Sequence, residues 1–169
     1  MRMRLVVTAG WLAVLLWLSC TSDSPVQDSG GFVNRNSRVS ECGGFPSVSR
    51  TAADPDSGSI ELLIWTYDTK TRTLTVLNRR VNLNCCGEHS IKASRVGEEI
   101  VISENDQPLD GGRCRCMCNF DFSTEIEGLS PGAVNLRLEL TVDDTLFMKW
   151  SGTIRLTDGS GEIQIQKGN

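Results

Sequence analysis

The sequence predicts an all-β domain, an antiparallel immunoglobulin-like β-sandwich with a small β-barrel as the alternative, and three observations carry that prediction. From Ile60 onward apolar residues return at every second position. Nowhere does an apolar stripe hold a helical period over three turns. Turn-forming residues interrupt the alternation at short intervals. Eight or nine short strands in about 108 residues match the size of such a sandwich.

The first strand is predicted over Ile60 to Tyr67, where Ile60-Glu61-Leu62-Leu63-Ile64-Trp65 is apolar on both faces, as a central strand requires. Shorter strands are expected at Thr73 to Leu77, Val81 to Cys86, Ile91 to Val96 and Glu99 to Glu104. The clearest alternation runs from Cys114 to Ile126. Cys114, Cys116, Cys118, Phe120, Phe122, Thr124 and Ile126 are expected to face the core, and Arg115, Met117, Asn119, Asp121, Ser123 and Glu125 the solvent. Val134, Leu136, Leu138, Leu140 and Val142 repeat the scheme. So do Leu146, Met148, Trp150, Ile154 and Leu156, with Gly152 as a bulge or close-approach point. A last strand is expected at Glu162 to Gln166. Turns are placed at Asp68-Thr69-Lys70, Asp110-Gly111-Gly112, Pro131-Gly132, Asp143-Asp144 and Asp158-Gly159-Ser160-Gly161.

Three regions precede or make up this domain: an export signal over residues 1–19, a flexible tether over 20–58 and the β domain over 59–169. The signal begins with Arg2 and Arg4, continues through an apolar run from Leu5 to Leu18, and ends on Ser19 before Cys20. At about 1.5 Å per residue that run reaches only about 21 Å, short of the roughly 30 Å of a bilayer core. Trp17-Leu18-Ser19-Cys20 resembles the lipobox of bacterial lipoproteins. The resemblance implies a diacylglyceryl thioether on Cys20 and membrane attachment through it. Thr21, in place of the Asp that retains lipoproteins at the inner membrane, implies the outer membrane of a bacterial envelope.

The tether is rich in Ser, Gly, Asp, Asn and Pro, as in Thr21-Ser22-Asp23-Ser24-Pro25 and Asp54-Pro55-Asp56-Ser57-Gly58. Residues 21 to about 40 are expected to be mobile, and Cys42-Gly43-Gly44-Phe45 to be pinned onto the domain. Charge excludes one class of partner. Removing Arg2 and Arg4 with the signal takes the formal net charge from −4 to −6, and no basic run exceeds Arg79-Arg80, so nucleic acid is not an expected partner.

Six cysteines follow Cys20: Cys42, Cys85, Cys86, Cys114, Cys116 and Cys118. In an exported chain an even set reads first as disulfides. Neighbours two apart on a strand lie about 6.6 to 7 Å from each other, at the limit for a bridge, so the last three are expected to seek Cys42, Cys85 and Cys86. The alternative is a thiolate metal or redox site completed by His89. An extended run from Cys114 to Cys118 spans about 13 Å, too long for one zinc ion, so no metal and no cofactor are expected. His89 is then expected as a solvated or locally bonded loop residue. Cys114-x-Cys-x-Cys-x-Phe-x-Phe, after the upstream Cys-Cys-Gly, resembles a block of uncharacterised exported bacterial proteins, which implies no activity.

Other chemistry is sparse. Asp121, Glu125 and Glu127 could form a glycosidase-like carboxylate pair, but alternating charge on a solvated strand explains them without catalysis and is the favoured reading. No nucleophile elbow, phosphate loop or dinucleotide fingerprint occurs. Asp54-x-Asp56-x-Gly58 and Asp106 with Asp110-Gly111 miss the spacing of a calcium loop. The expected function is therefore non-enzymatic: a lipid-anchored module that binds an envelope protein or surface ligand, or serves envelope structure.

Overall fold

A computed structural model describes residues 31–45 and 60–166 of the chain. The signal segment, Cys20 and the Asp54-x-Asp56-x-Gly58 run lie outside the described residues. The architecture is an all-β sandwich of two sheets with no closed barrel. One sheet has the order β1-β6-β3-β2-β9, formed by Val33–Val39, Met117–Glu127, Thr73–Asn84, Glu61–Asp68 and Gly159–Ile165. The other has the order β4-β5-β7-β8, formed by Gly87–Val96, Glu99–Pro108, Gly132–Val142 and Thr145–Leu156. Leu63, Leu74, Val76, Phe122 and Ile126 from the first sheet close the core against Ile102, Leu136, Leu138 and Leu156 from the second.

The pairing is antiparallel but for β5 and β7, which run parallel with Ile102 opposite Leu138. This departs from the fully antiparallel expectation, and the cause is topological. Strand β6 separates β5 from β7 in sequence but belongs to the opposite sheet, so the chain leaves and re-enters one sheet in the same direction. Tight turns join β2 to β3 and β7 to β8. At the first, Asp68 accepts hydrogen bonds from the Lys70 and Thr71 amides, which hold its carboxyl below the usual range. At the second, Asp143 and Asp144 both take positive φ, 48° and 64°, matching the twist that a two-residue hairpin demands.

Two bulges decide which side chains enter the core. In β3 the register against β6 shifts between Asn78 and Val81, so Thr73–Asn84 is one strand instead of two, and both Asn78 and Val81 are buried. In β8 the shift falls at Lys149, because Leu138 faces Trp150 while its neighbour Glu139 faces Met148. Leu146 and Met148, expected in the core, are therefore turned outward and are 60% and 69% exposed. Phe147 takes the place opposite the buried Leu140. Gly152 is not the bulge but a close-approach point, since a Cβ there would strike the Trp150 ring.

The cysteine run also departs from expectation. The strand begins at Met117, so Cys114 and Cys116 lie in the connection before it, half-buried and exposed, and of the three only Cys118 joins the core. Nor is the opposite face of β6 solvated, because Asp121 and Ser123 are both buried. The cover over Asp121 comes from residues assigned to the tether: Val33–Val39 forms the edge strand β1 on β6, and the chain continues over the sheet to Phe45. With polar residues from Asn34 to Arg38, β1 has no alternation for sequence reading to detect. Its ladder is the backbone of β6, reinforced by Arg35 Nε donating to Glu127 at 2.7 Å and Asn36 Nδ2 donating to Glu125 at 2.5 Å.

Asp121 organises this attachment. Its carboxylate accepts the Arg80 amide at 3.0 Å and the Phe45 amide at 3.0 Å, while Ser40 donates its amide to the Asp121 carbonyl at 2.9 Å. One buried carboxylate thus caps the β3 bulge, where Arg80 has φ 62°, and seats the N-terminal segment. Replacing it strands two amides. We expect Asp121→Ala to cost about 2 to 4 kcal/mol and to remove amide-exchange protection at Ser40 and Gly43; unchanged protection there would refute this role.

Candidate functional site

The chain changes sheet at Cys85-Cys86, between β3 and β4, and again over residues 109–116, between β5 and β6. These crossings lie side by side and are stapled by Cys85–Cys116 and Cys86–Cys114, each with Cα atoms 5.6 Å apart. Cys42–Cys118, at 5.7 Å, ties the N-terminal segment to the same end. All three separations suit a disulfide. No two of Cys114, Cys116 and Cys118 pair with each other. Asn84 knits the crossings further: its Oδ1 accepts the Cys86 amide at 3.0 Å, and its Nδ2 donates to the Cys114 carbonyl at 2.7 Å.

Beside this clamp an open groove of about 740 Å³ runs between the sheets. Leu83, Leu140 and Val142 form its floor, and Met117, Phe147 and Met148 stand exposed along its rim. Its polar wall is a chain of ion pairs. Arg113 reaches Asp106 at 2.5 Å and Asp143 at 2.5 Å, and these bonds raise its pKa above the ordinary arginine value. Asp106 is therefore a buried strand residue committed to Arg113, not a loop ligand for calcium.

His89 departs from expectation too. It belongs to β4, its side chain is only 8% exposed, its ring lies 4.2 Å from that of Phe120, and its Nε2 is 3.2 Å from Asp106 Oδ1. At that separation the imidazole is not aligned for a hydrogen bond. Gly87 makes the arrangement possible, since a Cβ there would collide with the Asp106 carboxylate. The cysteine side chains that His89 was to join in the metal alternative are all disulfide-bonded. Among the described residues no three His, Cys, Asp or Glu side chains are grouped to hold a metal ion.

A second polar cluster lies deeper, where sequence reading placed nothing. Asn78, 0% exposed, donates through Nδ2 to Glu61 Oε1 at 2.9 Å and to Glu104 Oε1 at 2.9 Å. Lys149, which lines the groove, donates to Glu61 Oε2 at 2.7 Å. Each residue comes from a different strand, Glu61 and Asn78 from one sheet and Glu104 and Lys149 from the other. Asn78 Oδ1 is buried with no partner. Burial is the main cause that pushes Glu104 up to about 8; the nearby Glu61 charge adds to it, while Asn78 and Lys149 oppose it. A signal for this cluster was present in Glu61, Asn78 and Glu104, each at a core parity of its strand. Lys149 was hidden by the bulge.

The expected carboxylate pair is not assembled. Asp121 is consumed by backbone amides, while Glu125 and Glu127 hold Asn36 and Arg35 on the outer face of β6. Those two glutamates do border a smaller hollow of about 410 Å³ with Thr66, Thr73 and Thr75.

A raised carboxyl makes stability depend on pH. Glu104 keeps its proton in the folded chain while the unfolded chain releases it near 4.5, so its contribution is complete below about 4.5 and is lost up to about 8. The expected slope is roughly 1.4 kcal/mol per pH unit across that window. Glu104→Gln, which mimics the neutral acid beside Glu61 and Lys149, should flatten it. Denaturant midpoints measured from pH 4.5 to 8 check this, and equal slopes in both proteins would refute it. Comparison with protein-family models, curated proteins and solved structures finds no match to this chain.

Proposed function

We propose that this chain is a lipid-anchored protein of the bacterial envelope whose sandwich binds a partner and performs no catalysis. The cysteine arithmetic carries the reading. Of seven cysteines, six are joined in three disulfides, which leaves Cys20 as the one outside the set. Disulfides suit an oxidising, extracytoplasmic compartment. A leftover cysteine directly after a lipobox-like segment is the residue that thioether formation needs, and attachment by two or more acyl chains is stable. The groove supports the binding part. Its charged groups satisfy one another, so Phe147, Met148 and Met117 remain to contact an apolar segment of an envelope protein or surface ligand.

A redox reading has one observation in its favour. The Cys114 and Cys116 sulfurs, which belong to different disulfides, lie only 3.8 Å apart, so once a dithiol reductant opens one bridge, its freed thiolate is within reach of the other. Thiol titration of the native protein separates the two. A structural set yields no reactive thiol among the six, and removing one bridge costs roughly 2 to 5 kcal/mol; two or more reactive thiols would favour the redox reading.

Cys20→Ser should release the protein from membranes or leave an unprocessed precursor. Detergent partitioning with mass spectrometry of the N-terminal peptide is the measurement, and an unmodified Cys20 in the exported wild type would overturn the anchor. For the groove, Phe147→Ser should weaken saturable binding of an environment-sensitive apolar dye by about tenfold, the loss of one partly buried aromatic contact.

A further inference from the structure

We propose that Lys149 and Asn78 are the two ends of an intramolecular isopeptide cross-link, which the folded protein forms on itself and which joins its two sheets through the interior. The geometry supplies the three groups that such a reaction needs. Glu61 holds both reactants on one carboxylate: Oε2 takes the Lys149 amine at 2.7 Å, and Oε1 takes the Asn78 amide nitrogen at 2.9 Å. Glu104 lies on the other side of the same amide at 2.9 Å. All four side chains are withdrawn from bulk water, with Lys149 the most accessible at 19%.

The chemistry is amide exchange and needs no oxidant, metal or cofactor. A lysine ammonium is not a nucleophile, so the attack needs a base, and Glu61 Oε2, 2.7 Å from Nζ, is the carboxylate in contact with it. The freed amine attacks Asn78 Cγ. The Nζ–Cγ bond forms, the Cγ–Nδ2 bond breaks, and the two protons that Nζ gives up pass to Nδ2, which leaves as ammonium. Glu61 touches donor and acceptor of those protons with its two oxygens, so it is suited to carry them.

The leaving nitrogen is shared by a second carboxyl, since Asn78 Nδ2 also lies 2.9 Å from Glu104 Oε1 and 3.1 Å from Glu104 Oε2. Kept neutral by burial, Glu104 has a proton beside the nitrogen that must leave, which suits it to assist the break of the Cγ–Nδ2 bond. The product is better matched to the interior than the reactants. An ammonium becomes a neutral amide whose N–H lies beside Glu61. The groove beside Lys149 offers the ammonium a way out.

The test uses the full chain, purified folded, then reduced, alkylated and digested with trypsin. The expected product is residues 73–79 joined to residues 138–155, lighter than the two peptides together by the mass of one ammonia, with cleavage at Lys149 blocked. Lys149→Met and Asn78→Ala should each abolish it. Glu61→Gln, which preserves shape, should slow its appearance after synthesis by about a hundredfold or more. Recovery of the 73–79 peptide wholly free and unmodified from folded wild-type protein would overturn the proposal. So would a joined peptide that persists in Lys149→Met.

Discussion

The interior of this sandwich depends on two β-bulges, one in each sheet. A strand has period two, so a bulge is the one local device that reverses which residues face inward without breaking the strand. In β3 the shift after Asn78 lets Val81 and Leu83 continue the core that Leu74 and Val76 began. In β8 the shift at Lys149 keeps Trp150, Ile154 and Leu156 on one parity while Phe147 and Lys149 take the other. Both shifts come at the level where the apolar core gives way to Glu61, Asn78 and Glu104. The groove follows from this too, because Phe147 and Lys149, on the parity opposite to Trp150, line it.

At one end of the sandwich the crossings meet under a different constraint. A crossing has no ladder to hold it, so its amides and carbonyls need other partners. Asn84 supplies three of these contacts from one side chain, and the disulfides of Cys85 and Cys86 fix the separation of the two crossings. Adjacent cysteines cannot both point inward along a strand. Here they do not have to, since the strand ends at Asn84 and the pair occupies the turn. Gly87 then admits the Asp106 carboxylate to the backbone, and Arg113 closes over it. The clamp and the polar wall of the groove are therefore one construction.

What was legible in the sequence follows the same physics. The fold class, the turns at Asp68 and Asp143-Asp144, and most of the apolar parity were readable, because each depends on neighbours in the chain. Three features were not. The edge strand β1 borrows its ladder from β6 and pairs its exposed polar side chains with carboxylates of that neighbouring strand. The bulge at Lys149 reverses Leu146 and Met148 without any glycine or proline to announce it, and the nearby Gly152 suggested the wrong place. The parallel pairing of β5 with β7 depends on which sheet receives β6, and periodicity carries no such information. The cysteines could be restricted by strand spacing, although the strand itself starts three residues later than the alternation implied.

A buried polar cluster between the sheets also has a consequence for register. Apolar cores tolerate sliding, because one methyl group substitutes for another with small loss. Asn78 does not: its amide hydrogens meet Glu61 and Glu104 only when β2, β3 and β5 hold their present alignment. A slip of one residue in β3 would turn Asn78 to the outer face and leave Glu61 and Glu104 confronting each other without the donor between them. The Asp121 carboxylate enforces the same alignment from the opposite face, since it recognises the Arg80 amide only where the bulge stands. Two buried acids and one buried carboxamide, costly to stabilise individually, thereby make the alternatives costlier still. The strands are held in place from inside and outside at a single step of β3.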